Sequence, residues 1–223
     1  MFQVVLDWSE VWALFFPLAA YYTYQKQPSF LTPVLIYLVG ALVLNLLTDF
    51  VADFRLYLPG WLQTNLIFYN IHSIFRFICF TYFFNTIAYG SFKYLRNILL
   101  SIYLLLLILN YIFLEDYLDQ THINGNLFTI EAYLLLIFSM LYYLTQLRND
   151  VVDLSSSKEF WIVTGLSIYV VINFYIFLFY VPMIQENPML VEKMWSVHNI
   201  AYIVLCLFIT KALYVPLQPD HRI

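Results

Sequence analysis

The sequence predicts an all-α integral membrane protein, a single seven-transmembrane-helix bundle over residues 1–223 with its N-terminus outside, its C-terminus cytoplasmic and no soluble domain. Two observations carry that class. Hydrophobic residues make up 63% of the chain and charged residues only 11%, with a mean hydropathy of +0.77, which is more apolar surface than one water-soluble core can hide. The apolar residues also fall into seven runs, each close to the roughly 20 residues that a hydrocarbon layer about 30 Å thick demands at about 1.5 Å of rise per residue. A transmembrane barrel would instead alternate in segments of about ten residues. Residues 98–109 are apolar on every face, which suits a helix in lipid, where each backbone group must be satisfied within its own element.

The first run, 8–24, opens with Trp8 and Trp12, and the first positive charge of the chain comes after it, at Lys26. It lacks the basic leader and small-residue cleavage site of a secretory signal, so it is expected to stay as a helix. Gln27-Pro28-Ser29 turns the chain into the second run, 30–50, which holds Asn45 and Asp49. Pro59-Gly60 precedes the third, 61–88, with Arg76 near its middle; the fourth, 94–114, carries Asn110. Asn124-Gly125-Asn126 leads to the fifth, 127–147, with Glu131, and Ser155-Ser156-Ser157 leads to the sixth, 160–184, with Tyr169 and Asn173. Asn187-Pro188 opens the way to the seventh, 191–213, with His198, Asn199 and Lys211. Each connection has the residue chemistry of a turn. All are short, and the chain after Leu213 has no room for an output domain, so any output is expected from another protein.

Orientation follows from the basic residues, which cytoplasmic loops retain. Lys26, Lys93, Arg96, Arg148, Lys158, Lys211 and Arg222 fall on one side; Arg55 and Lys193 fall on the other, among the acidic Asp53, Glu115, Asp116, Asp119, Glu186 and Glu192. Trp8, Trp12, Trp61, Trp161 and Trp195 lie near helix ends, where aromatic anchors meet the lipid interface. A net charge of −4 argues against nucleic acid, whose phosphates are bound by clustered Lys and Arg. Cys79 and Cys206 sit in apolar runs and read as small hydrophobes rather than a disulfide.

Ionisable groups within a membrane are costly and therefore suggest function. Asn65, Tyr69, His72 and Arg76 recur at spacings that stack them on one face of the third helix, and that stripe is expected to face protein or water. Two roles are open to Arg76. It either clamps the bundle against a carboxylate, with Asp49 the first choice and Glu10 and Glu131 at similar depth, or it faces a ligand. With Asn173, His198 and Asn199, these residues (Arg76, His72, Tyr69, Asn65, Asp49 and Glu131) form the candidate lining of a polar cavity open to the outside, suited to a small polar or anionic ligand. His72, with an unperturbed imidazole near neutrality, would couple occupancy to protonation.

Enzyme chemistry finds little support. A metal site needs three or four converging ligands, and only His72 and His198 are histidines within helices, with no H-x-x-x-H pair of the kind seen in seven-helix zinc hydrolases. The same two histidines are the only conceivable axial pair for a haem. A retinal pigment needs a lysine at the centre of the last helix, whereas Lys211 lies at its cytoplasmic end. No catalytic residue, metal or cofactor is expected.

The stretches Phe160-Trp161-Ile162-Val163-Thr164-Gly165-Leu166-Ser167-Ile168-Tyr169, with Asn173-Phe174, and Trp195-Ser196-Val197-His198-Asn199-Ile200 resemble the seven-helix membrane proteins of bacteria that are similar to the sensor modules of histidine kinases and are encoded near such kinases. This chain departs from them at Ile172, where a small residue such as Gly is common, so packing beside Asn173 is expected to differ. The resemblance implies signal reception in a bacterial inner membrane: a ligand or the lipid bilayer biases the bundle, and a cytoplasmic partner such as a histidine kinase reads the change. The alternatives are a small-molecule or ion transporter using Arg76 and His72 at mid-membrane and, third, an intramembrane enzyme acting on lipid. The broken helices that inverted-repeat transporters carry in both halves have no counterpart here, since Pro17, Gly40, Gly165 and Pro182 do not correspond.

Overall fold

The computed structural model of the chain describes residues 2–24, 26–59, 64–87, 92–116, 123–148 and 154–216, and among these residues it is helical with no strand. Helices α1 (Phe2–Asp7) and α2 (Ser9–Thr23) lie end to end across Trp8. Then come α3 (Thr32–Phe54), α4 (Leu66–Ile87), α5 (Phe92–Phe113), α6 (Gly125–Arg148), α7 (Lys158–Glu186) and α8 (Pro188–Tyr214). Single tight turns at Ser29–Leu31 and Arg55–Tyr57 extend α3 at both ends. Five stretches are long and apolar enough to cross a bilayer: Ser29–Tyr57, Leu66–Ile87, Gly125–Arg148, Lys158–Ile184 and Pro188–Tyr214. Several such helices in one chain mark a multi-pass membrane protein. The 15 residues of α2 and the apolar part of α5, Asn97–Phe113, are shorter.

Local chemistry explains where the helices start. Ser157 accepts a hydrogen bond from the Phe160 amide at 3.1 Å, so α7 begins at Lys158 rather than at the first apolar residue of its run. Asn187 does the same for the Leu190 amide at 3.2 Å with Pro188 in the first turn, drawing the start of α8 back to Pro188. At Asn124-Gly125-Asn126 the expected turn gives way to helix from Gly125 onward. There the Glu115 carboxylate accepts from the Asn126 amide at 2.8 Å and the Leu127 amide at 3.1 Å, satisfying amides at the helix start from outside the helix. Residues 60–63 and 88, at the ends of the third run, lie outside the described residues, as does Trp61.

Helices α7 and α8 form an antiparallel pair against which α6 and α2 pack, while α3 and α4 pack together and α4 reaches α6. Gly165 lets α7 and α8 approach closely: a Cβ there would lie 2.5 Å from the Phe208 Cβ. The core between the helices is strongly aromatic, with Tyr37, Phe77, Phe80, Phe83, Tyr169 and Tyr202 fully buried beside Leu14, Leu38 and Leu135. Helix α5 sits at the edge, against α6 and α4, and exposes Leu104, Leu105, Ile108 and Ile112. In lipid such an apolar rim is the expected surface rather than a patch awaiting a partner. Cys79 and Cys206 are free thiols buried in this packing.

Two residues near helix ends turn inward. Lys158, counted above among the cytoplasmic charges, is buried, and its Nζ donates to the carbonyls of Ala212 at 3.1 Å and Leu213 at 3.2 Å. It thus serves the last carbonyls of α8, which have no partner within their own helix. Trp195, read as an interface anchor, is half-buried, its ring stacked on His198 at 5.1 Å and edge-on to Tyr69 at 5.5 Å. Lys211 remains exposed, with Nζ 5.5 Å from the centre of the Trp161 ring.

Candidate functional site

The polar residues of the bundle collect in two layers. The inner one is built on Arg76 of α4. The helical stripe Asn65–Tyr69–His72–Arg76 runs from the start of α4 into the protein, with Asn65 and Tyr69 half-buried and His72 and Arg76 buried. Arg76 meets Glu131 of α6 through two prongs, Nε to Oε1 at 2.5 Å and Nη2 to Oε2 at 2.7 Å. Ser73, one turn before Arg76, donates to the same carboxylate at 2.5 Å. Arg76 is 7% exposed and Glu131 1%, so both charges have left solvent, and only a paired and hydrogen-bonded geometry makes that tolerable. Over the guanidinium lies the Tyr169 ring of α7, its centre 4.9 Å from Cζ, in a cation–π contact.

Asp49, the first choice as partner of Arg76, is not the residue that meets it. It belongs to α3 near the end where Glu10 and Asp53 lie, and it feels their charges. Glu131 lies on the face of α6 that meets Arg76 of α4. Tyr169 offers Arg76 its ring face, and its hydroxyl is buried without a hydrogen-bond partner. His72 is buried beside Tyr37, ring centres 6.0 Å apart, and its Nε2 also lacks a partner. Tyr37 in turn donates to the Tyr202 hydroxyl of α8 at 3.4 Å.

The second layer centres on His198 of α8, nearer the end of the bundle where α2 begins. Its Nε2 faces Glu10 Oε1 of α2 at 3.0 Å, and its Nδ1 faces Asn173 Oδ1 of α7 in a short contact. The Asn173 amide is oriented by its own Nδ2, which donates to the Tyr169 carbonyl at 2.7 Å. Both ring nitrogens of His198 face side-chain oxygens. One imidazole thus holds α2, α7 and α8 together. Asn199, next in sequence, points elsewhere and donates to the Leu6 carbonyl of α1 at 3.1 Å.

Beside this layer Leu66, Tyr69, Asn70, Ile123, Phe128 and Trp195 line a narrow hollow with no room for a water molecule. Tyr69 is the one residue it shares with the cavity expected from sequence. Its wall, the Trp195 ring, is the surface on which His198 stacks. Among the described residues no group of three or more His, Cys, Asp or Glu side chains is placed to hold a metal ion. Ser73 and Trp195 are the participants that sequence reasoning did not place in the site, and Glu10, weighed there as a partner for Arg76, meets His198 instead. Ser73 carried a signal, since it precedes Arg76 by three residues and so shares its helical face. Searches against protein families, curated proteins and solved structures find no match for this chain.

Proposed function

We propose that the chain is a seven-pass membrane sensor, N-terminus outside, that receives its signal in the outer half of the bundle and passes it to a separate cytoplasmic partner such as a histidine kinase, in a bacterial inner membrane. On this reading α1 and α2 make one pass broken at Trp8, and α5 makes another. The excess of Lys and Arg at the end where α2 finishes and α3 begins supports the orientation. The observation that carries the reading is the His198 tie, in which a single titratable side chain holds Glu10 and Asn173 while stacked against a wall of the hollow. A change that moves Trp195 or empties one of those contacts loosens the polar tie of α2 and α7 to α8. The bidentate Arg76–Glu131 pair is the fixed clamp against which they move. That pair also weighs against a carrier, because a substrate anion would have to displace a carboxylate already held by two nitrogens and a hydroxyl.

Two measurements test the proposal. Alkaline phosphatase fused at Gly125 should be active and a fusion after Tyr214 inactive; the reverse pattern overturns the orientation. For signal transfer, spin labels at Leu147→Cys and Tyr214→Cys, both exposed at the proposed cytoplasmic end, report on α6 and α8 with Cys79 and Cys206 replaced by alanine. His198→Gln should shift or broaden the distance distribution between the labels in lipid nanodiscs. A distribution identical to that of the parent protein means that the outer tie does not reach the far end, and the sensor reading fails.

A further inference from the structure

The end of the bundle opposite His198 holds a third polar group, apart from both layers, and its centre is the last turn of α8. The Leu213 carbonyl accepts from side chains of two other segments, Lys158 Nζ of α7 at 3.2 Å and Gln27 Nε2 just beyond α2 at 3.3 Å. The same ammonium donates to the Ala212 carbonyl at 3.1 Å, and the same amide nitrogen donates to the carbonyl of Tyr24, the residue that caps the end of α2, at 2.9 Å. Beside them the Tyr24 and Tyr214 rings meet edge-on, their centres 4.9 Å apart. Lys158 is placed for α8 and not for its own helix. An ammonium in the first turn of α7 opposes that helix's dipole, whereas at the end of α8 it meets the negative end, next to carbonyls that lack a partner within α8.

This clasp and the His198 tie join the same three helices. At one end His198 of α8 faces Glu10 of α2 and Asn173 of α7; at the other, the last carbonyls of α8 are held by Gln27, a short step past α2, and by Lys158 of α7. Between His198 and Leu213, α8 runs for about 22 Å at about 1.5 Å of rise per residue, with neither Gly nor Pro to bend it. Side-chain hydrogen bonds yield more readily than an unbroken helix. A displacement of α8 at His198 is therefore not absorbed by a kink on the way and arrives at Leu213, where the contacts with α2 and α7 are the ones that give.

We propose that the clasp on Leu213 is the inner counterpart of the His198 tie, a conformational device in which α8 carries a change at His198 to its own far end and alters the hold of Lys158 and Gln27 there. The device rests on the sensor reading, to which it supplies the route along the bundle. Lys158 and Gln27 are then positioning residues of the output end.

Spin labels at Thr23→Cys and Lys211→Cys, both exposed, with Cys79 and Cys206 replaced by alanine, measure the separation of α2 and α8 at the clasp in the whole protein in lipid nanodiscs. They are read beside the Leu147–Tyr214 pair, which reports α6 against α8. Lys158→Met breaks the clasp directly and should shift the Thr23–Lys211 distance by about 1–2 Å, the scale on which packed helices slide. His198→Gln should produce the same shift, and the two substitutions together no more than either alone, because the clasp is already open. A His198→Gln distribution at Thr23–Lys211 identical to that of the parent overturns the proposal; if the Leu147–Tyr214 pair responds in that variant, the sensor reading survives with its route elsewhere. An unchanged distance in Lys158→Met overturns it as well, and so do shifts that add in the double variant, since independent ends need no helix to join them. Where Lys158→Met does not fold, Gln27→Ala removes the other donor, from a half-buried position, and the same comparisons decide.

Discussion

Replacing Arg76 by methionine should unfold the bundle more readily than any surface change, by an amount that follows from the geometry of its partner. The substitution keeps a long unbranched side chain but strands the Glu131 carboxylate, 1% exposed, with the Ser73 hydroxyl as the remaining donor among its side-chain partners. Removing one member of a buried ion pair costs about 3–5 kcal/mol, because the survivor is an uncompensated buried charge. For a chain of this size each kcal/mol moves the melting temperature by about 2–4 °C, so Arg76→Met should lower it by about 6–20 °C. Glu131→Leu should do the same in the other direction, stranding the guanidinium against Tyr169. The double variant Arg76→Met/Glu131→Leu removes both charges and leaves an apolar contact, which is often neutral or better, and should recover most of the loss. Adding Asp49→Asn to Arg76→Met should recover nothing, since Asp49 is not the partner. The assay is circular-dichroism melting of the purified variants in lipid nanodiscs. Single variants that melt within about 2 °C of the parent, or rescue by Asp49→Asn instead of Glu131→Leu, would refute the assignment of the pair.

Lys158→Met should cost about 1–3 kcal/mol, the penalty for leaving the Ala212 and Leu213 carbonyls at the end of α8 without their donor, whereas Lys211→Ala, at an exposed position, should stay within about 0.5 kcal/mol; parallel melting curves decide, and equal effects would sink the distinction. Gly165→Ala should destabilise by about 1–3 kcal/mol because its methyl group meets Phe208 at the Cβ, close to a backbone that cannot yield without parting α7 from α8. Gly40→Ala should cost less, since there the obstacle is the outer edge of the Phe75 ring, which can rotate away; the reverse order in the two melting temperatures would contradict this packing.

Much of the fold was legible because a helix in lipid is specified locally. Run length and the absence of charge mark a segment as helical, and among the described residues the apolar runs fall largely on helices, five of which are long and apolar enough to cross a bilayer. The turns at Ser157 and Asn187 were legible too, since a capping side chain lies next to the helix it starts. The stripe from Asn65 to Arg76 was readable from spacing alone and does turn inward. The choice of partners was not. Read from the sequence, Asp49 and Glu131 share a depth, and depth is all that hydropathy reports; which one reaches Arg76 depends on how α4 is rotated against α6 and α3, and that is settled by aromatic packing around Phe77, Phe80 and Phe83 from distant parts of the chain. Lys158 looked like a loop charge because its composition is that of a loop, while its burial arises from the free carbonyls of α8 arriving beside it. Glu115 caps α6 across a connection, and Trp195 rests its ring against His198 and Tyr69, partners that its own helix end does not announce. The sequence therefore determined the helices and their polar stripes, which depend on neighbours within a turn or two; the tertiary structure alone decided which stripes meet, because that is a property of whole helix faces packed at once.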